Sequence, residues 1–167
     1  MNSLKPCRML FKTPAHEAEY LKLYDEVLSL WPVQHEPLNV GTTFGTTHIN
    51  AAGPQDGPPL VLIPGFGANS TMWFANVGPL SRNHRIYALD TNGQPGRSTL
   101  REPLSPATVC PWLHEVLDGI GVQRAVLAGA GGRPPRWRSW GSPWSLRWRC
   151  LWCFSAVMCC SRAAPCG

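Results

Sequence analysis

Apolar positions divide the first 130 residues into alternating periods. Tyr20, Leu23, Tyr24, Val27, Leu28 and Trp31 recur at helical spacing, and Pro32 follows. The pattern predicts a helix over 14–31, opened by Thr13 as cap and Pro14 at the first helical position. Thr-, Val- and Phe-rich runs on either side of Gly45 predict a β-hairpin over 37–52. Pro54-Gln55-Asp56-Gly57-Pro58-Pro59 is a cluster that no regular element crosses. Leu60-Val61-Leu62-Ile63, Arg85-Ile86-Tyr87-Ala88-Leu89 and Arg124-Ala125-Val126-Leu127-Ala128 are short apolar runs without polar alternation, the mark of strands buried on both faces. Between the last two, Val109, Trp112, Leu113, Val116, Leu117 and Ile120 form a second helical stripe. Strand and helix alternate from Leu60 on, which predicts βαβαβ units over 60–128 and a parallel sheet. The fold class is α/β. The first stripe also suits a partner- or membrane-binding helix, but its mixed flanks fit a helix packed on its own domain better.

In a parallel sheet, ligands sit beyond the carboxyl ends of the strands. Two glycine loops lie there. One is Pro64-Gly65-Phe66-Gly67-Ala68-Asn69-Ser70 and the other is Asp90-Thr91-Asn92-Gly93-Gln94-Pro95-Gly96-Arg97-Ser98. A glycine turn after a buried strand brings backbone N–H groups close to a ligand, as an oxyanion hole requires. It is equally what any tight strand-to-helix turn needs. Gly65-x-Gly67-x-x-Ser70, with Asp90 some twenty residues on, also nears a dinucleotide fingerprint, but its third small residue is serine.

The apolar strand with Pro64-Gly65-Phe66-Gly67-Ala68-Asn69-Ser70-x-x-Trp73, the strand ending in Asp90 and the Gly93-x-Pro95-Gly96-x-Ser98 loop resemble the α/β-hydrolase superfamily. Phe44 to Pro54 resembles its opening hairpin. Residues 15 to 128 are similar to the N-terminal half of bacterial carboxylesterases of this fold. The resemblance implies a β-hairpin followed by parallel βαβ units in an incomplete sheet. It implies Phe66 N–H as an oxyanion donor, Gly65, Gly67, Asp90, Gly93, Gly96 and Ser98 as loop-forming residues, and a small-molecule ester as substrate of the intact parent. The family usually has His where this chain has Pro64, a change that spares the N–H.

In such a hydrolase, a serine in G-x-S-x-G follows the third parallel strand, and the acid and histidine come later. Here the sequence is Gly129-Ala130-Gly131-Gly132-Arg133-Pro134-Pro135, with Gly131 at the nucleophile's place. No other G-x-S-x-G occurs. His16 and His114 fall on helical patterns, His35 and His84 in connections and His48 on a hairpin strand; none is beside a nucleophile. The expectation is therefore an ester-hydrolase framework without a catalytic triad and without turnover.

Composition changes the picture only at the end. The chain has 167 residues and a formal charge of +5. Residues 1–132 hold nine Lys and Arg against all ten Asp and Glu, whereas residues 133–167 hold six Arg and no acid, with five of eight Trp and five of seven Cys. The mean basic charge is thus no argument for nucleic acid, and none is expected as a partner. The chain divides into a partial hydrolase domain, 1–132, and an Arg/Trp/Cys-rich tail, 133–167, without helical or strand period and expected to be disordered. Arg-Trp-Arg blocks are what Leu- and Ala-rich helices in GC-rich DNA become when read one base late. Translation out of frame from near Gly131 explains the lost serine, the absent acids and a truncated chain together. Two other readings stand beside it. The tail could bind nucleic acid or a membrane surface through charge and stacking. Cys150, Cys153, Cys159, Cys160 and Cys166 could hold zinc, although the second pair is adjacent rather than C-x-x-C. No metal or cofactor is expected. With no run long enough to span a membrane and no secretory leader, a cytoplasmic protein is expected, its oligomeric state left open. An unpaired edge is expected beside the last parallel strand.

Overall fold

The computed structural model describes residues 11–130 and the backbone of two further strands, 148–153 and 157–162. Helix α1 runs Pro14–Leu28, with Thr13 capping the His16 N–H. It is shorter than the apolar stripe predicts. Leu30 and Trp31 N–H groups bond to Val27 and Leu28 carbonyls, so the last turn tightens before Pro32. Strands β1, His35–Thr42, and β2, Gly45–Ala52, form the hairpin. His35 therefore opens a strand rather than lying in a connection. Pro37 is tolerated because β1 is an edge strand and has one side free of the ladder.

Strand β3 is Pro59–Ile63, followed by one 3-10 turn, Ser70–Trp73, and helix α2, Phe74–Ser81. Strand β4, Arg85–Leu89, helix α3, Val109–Gly119, and strand β5, Arg124–Gly129, complete the predicted alternation. β3 pairs in parallel with β4 and β5, and β2 pairs antiparallel to β4.

The edge of β5, expected open, is covered. β6, Trp148–Cys153, and β7, Val157–Arg162, form a hairpin with β7 antiparallel to β5, giving the order β1-β2-β4-β3-β5-β7-β6. These strands stand where the sequence has no strand period. An open edge offers backbone N–H and C=O groups that an extended segment can pair with whatever its side chains. The remaining tail residues lie outside the described ones, as do the side chains of Cys150, Cys153, Cys159, Cys160 and Cys166.

The sheet separates two apolar clusters. Val61, Leu89 and Leu127 pack with Trp112, Leu113, Val116 and Leu117 of α3. Leu60, Leu62, Ile86 and Ala88 pack with Tyr24 and Leu28 of α1 and Val77 of α2. The two-residue alternation within β3 and β4 delivers one side chain to each layer in turn. Of the α1 stripe, Tyr24, Leu28 and Trp31 are buried, while Leu23 and Val27 are exposed.

Candidate functional site

β3 lies between β4 and β5, so the chain leaves the middle of the sheet at Pro64. The Ala68 N–H donates to the Gly65 carbonyl (3.1 Å) and closes a four-residue turn. Gly67 stands at its third position with φ +77°, a left-handed conformation in which a side chain is strained although space is free. The Gly67 N–H donates to Gln94 Oε1 at 2.7 Å. The Phe66 N–H has no hydrogen-bond partner among the described residues, and the Phe66 side chain is almost fully exposed.

The far end of the turn is held by buried polar groups. Asn69 Oδ1 accepts from the Thr71 N–H (2.9 Å), and its Nδ2 donates to Tyr20 Oη (2.7 Å). Ser70 Oγ lies 2.9 Å from Tyr24 Oη, and Asn50 Nδ2 donates to both, at 2.8 and 2.7 Å. Helix α1 is thereby tied to the turn. Burial, reinforced by Asp90, raises the Tyr24 phenol well above its ordinary pKa, so it stays a neutral donor.

Asp90 closes this arrangement. It is buried at the end of β4. Its Oδ1 accepts from Ser70 N–H and its Oδ2 from Arg97 N–H, both at 2.8 Å. Its main-chain carbonyl accepts from Ser98 Oγ (2.5 Å), which itself accepts from His48 N–H (2.8 Å). A Cβ on Gly96 would stand 2.6 Å from Asp90 Oδ2, so glycine is what lets the loop fold back on the carboxylate. Gly93 has φ +81° in the turn that the Gln94 N–H closes on the Thr91 carbonyl (3.0 Å). The structure thus brings Asp90, Gly96 and Ser98 together, and joins Gly65 and Gly67 to the Gly93 loop through Gln94. A ribose-binding acid must face a ligand, whereas both Asp90 oxygens are occupied by the protein's own backbone. The segment after Gly67 is moreover a 3-10 turn, with α2 beginning only at Phe74. Both features favour the hydrolase resemblance over the dinucleotide one.

The Ala130 N–H donates to the Ile63 carbonyl (3.1 Å), and Gly129 pairs with Ile63. The end of β5 is therefore carried alongside the start of the Pro64–Gly67 turn. Gly131, where the nucleophile was expected, is the next residue and lies outside the described ones. Of the histidines, His48 is the one beside the loops. Burial lowers its pKa, with Asp90 opposing and Arg97 assisting, and its Nδ1 is 3.0 Å from Asn39 Oδ1.

A cleft of about 370 Å³ adjoins the turn, lined by Phe66, Thr91, Gln94, Leu100, Leu104 and Val109 among others. None of its lining residues is charged. Thr91 Oγ1 is buried without a partner. Among the described residues no group of His, Cys, Asp and Glu could hold a metal, and no helix is long and apolar enough to cross a membrane.

Sequence reasoning missed Gln94, Tyr20, Tyr24 and Asn50. Their partners are 20 to 49 residues away, and the two tyrosines also fit an apolar stripe. A polar Asn50 inside a strand of small residues was the one available signal.

No family model matches the chain. It is 39% identical over 111 residues to the uncharacterized carboxylesterase nap of Bacillus subtilis (strain 168), covering 66% of this chain and 37% of that protein. It is 37% identical over 122 residues to the carboxylesterase YbfK of the same organism, covering 72% of this chain and 41% of that protein. The crystal structure of carboxylesterase CesB (YbfK) from Bacillus subtilis superposes with a TM-score of 0.68 at 36% identity, over 70% of this chain and 41% of that one. The chain thus spans about two fifths of the length of the curated relatives it matches.

Proposed function

We infer, for a chain that carries the N-terminal part of the α/β-hydrolase fold, that its site is the oxyanion side of a carboxylic ester hydrolase, kept without a nucleophile. One observation carries this: the Phe66 N–H has no partner among the described residues, on a turn whose Gly67 and Ala68 N–H groups are both engaged. The carboxylesterase relatives support the chemistry.

In the parent reaction a serine hydroxyl attacks the ester carbonyl and passes its proton to a histidine. The carbonyl oxygen gains negative charge and takes a hydrogen bond from the Phe66 N–H. Collapse expels the alcohol, and water hydrolyses the acyl-enzyme. A fixed donor at the developing charge contributes about 3–4 kcal/mol to such a barrier. It cannot act alone. Position 131 supplies glycine, which has no side chain to acylate, so the first covalent bond does not form.

The Arg/Trp/Cys-rich composition after Gly131 supports translation out of frame there. The nucleotide sequence tests this: a shifted frame encoding a serine elbow at codon 131, then an acid and a histidine, is expected. Its absence from every frame would refute the frame slip. Activity is tested with p-nitrophenyl acetate. Release at the buffer rate, linear in substrate, is expected; saturable release would overturn the reading.

A further inference from the structure

We infer that Gln94 is a positioning residue for the oxyanion turn, and that its free amide N–H faces the cleft as a second donor for a carboxylate or acyl oxygen. This rests on the proposed function above and names the group that holds its donor in place. The Gly67 N–H donates to Gln94 Oε1 at 2.7 Å, which fixes the carboxamide's orientation: oxygen to the turn, nitrogen away from it. No partner for Nε2 occurs among the described residues, and Gln94 lines the same cleft as Phe66. Taking the Gly67 N–H out of play leaves the Phe66 N–H open at the corner of the turn.

Gln94 is itself held from behind. Its N–H closes the Thr91–Gln94 turn, and Asn92 within that turn is buried. Asn92 Oδ1 accepts from Thr47 Oγ1 (2.6 Å) and Trp112 Nε1 (3.1 Å), and its Nδ2 donates to the Thr99 carbonyl (2.8 Å). Trp112 of α3 thus anchors Asn92 by a hydrogen bond, the chain of the Thr91–Gln94 turn carries that anchor two residues on, and Gln94 passes it to Gly67, next to the Phe66 N–H. The cleft offers neutral donors, Phe66 N–H and Gln94 Nε2–H, against Leu100, Leu104 and Val109. That chemistry suits a carboxylic acid or ester with an apolar body.

The test is amide NMR of the full chain, titrated with sodium phenylacetate. In the wild type, the Phe66 N–H and the Gln94 side-chain amide are expected to shift together and saturate. Gln94→Leu should lose the Phe66 response and speed Gly67 amide exchange roughly fivefold, the worth of one ordinary hydrogen bond. Gln94→Glu keeps the acceptor but loses the donor and adds a repelling charge. It should retain Gly67 protection and lose phenylacetate binding, a split that a merely structural role would not produce. An equal Phe66 response in wild type and Gln94→Leu would overturn the role of Gln94 and leave the oxyanion reading standing. Gln94-dependent protection of Gly67 without any phenylacetate shift at Phe66 in the wild type would instead defeat the oxyanion reading, and with it the donor role of Gln94.

Discussion

Replacing Asp90 by Asn is the change whose cost follows most directly from the geometry. The two side chains are nearly the same size, so packing is preserved. The carboxylate accepts two backbone N–H bonds, one per oxygen, from Ser70 and Arg97, each at 2.8 Å and away from solvent. Hydrogen bonds to a charged acceptor contribute about 1.5–3 kcal/mol each. An amide keeps one acceptor and turns an N–H₂ toward the other donor, so Asp90→Asn should cost about 2–4 kcal/mol. Asp90→Ala removes both acceptors and should cost about 3–6 kcal/mol, a large part of the roughly 5–15 kcal/mol that holds a domain folded. In a domain of this size each kcal/mol lowers the melting temperature by about 2–4 °C. A thermal melt followed by circular dichroism should therefore drop by about 4–16 °C for Asn and further for Ala. A loss below about 1 kcal/mol for Asn would refute the assignment of Asp90 as the tie between the two loops. Retention of NADH by the wild type, abolished in Asp90→Asn at unchanged stability, would revive the dinucleotide reading.

His48 should make the fold acid-sensitive. Burial holds its folded pKa below the ordinary 6.5, so the unfolded chain binds the proton more readily. Its contribution is complete above about pH 6.5 and lost as pH falls through the folded value. Melting temperature should fall less between pH 7 and pH 5 in His48→Gln than in the wild type; parallel curves would contradict this. Gly119→Ala improves helix propensity but would place a Cβ 2.3 Å from Val40 Cγ1, where α3 crosses β1. Urea unfolding should show a net loss of about 1–3 kcal/mol, and a gain would show that this contact yields. Trp112→Phe removes the Nε1–H shared by Thr47 Oγ1 (2.8 Å) and Asn92 Oδ1 and leaves a void. It should cost about 2–4 kcal/mol and accelerate Gly67 exchange; unchanged exchange would show that the Trp112–Asn92 anchor does not support the turn.

Periodicity made the framework legible. The strands at Leu60, Arg85 and Arg124 and the helical stripe around Trp112 are readable because burial acts on local pattern. The hairpin was readable from its β-branched residues about Gly45. The turn at Gly67 announced itself through the residue type that a positive φ favours. The ties between loops did not. Asp90 to Arg97 is short, but Tyr24 to Ser70, Gly67 to Gln94 and Trp112 to Thr47 join residues that only the folded sheet brings together, and no spacing encodes them. α1 illustrates the same limit: Tyr24 falls at one of six apolar positions of the stripe, while its hydroxyl anchors Ser70. β6 and β7 were hidden for a different reason. Their pairing answers the edge of β5 through backbone groups, which every sequence possesses.

We propose that the Phe66 N–H remains as a donor for a negative oxygen while glycine at position 131 removes the group that would generate that oxygen. Intact-mass analysis of the full chain after exposure to a fluorophosphonate and, separately, p-nitrophenyl acetate tests it most directly. An unmodified mass is expected with the first reagent, and no acyl adduct at the end of β5 with the second. A stoichiometric phosphonyl or acetyl adduct, lost on heat unfolding before exposure, would contradict it.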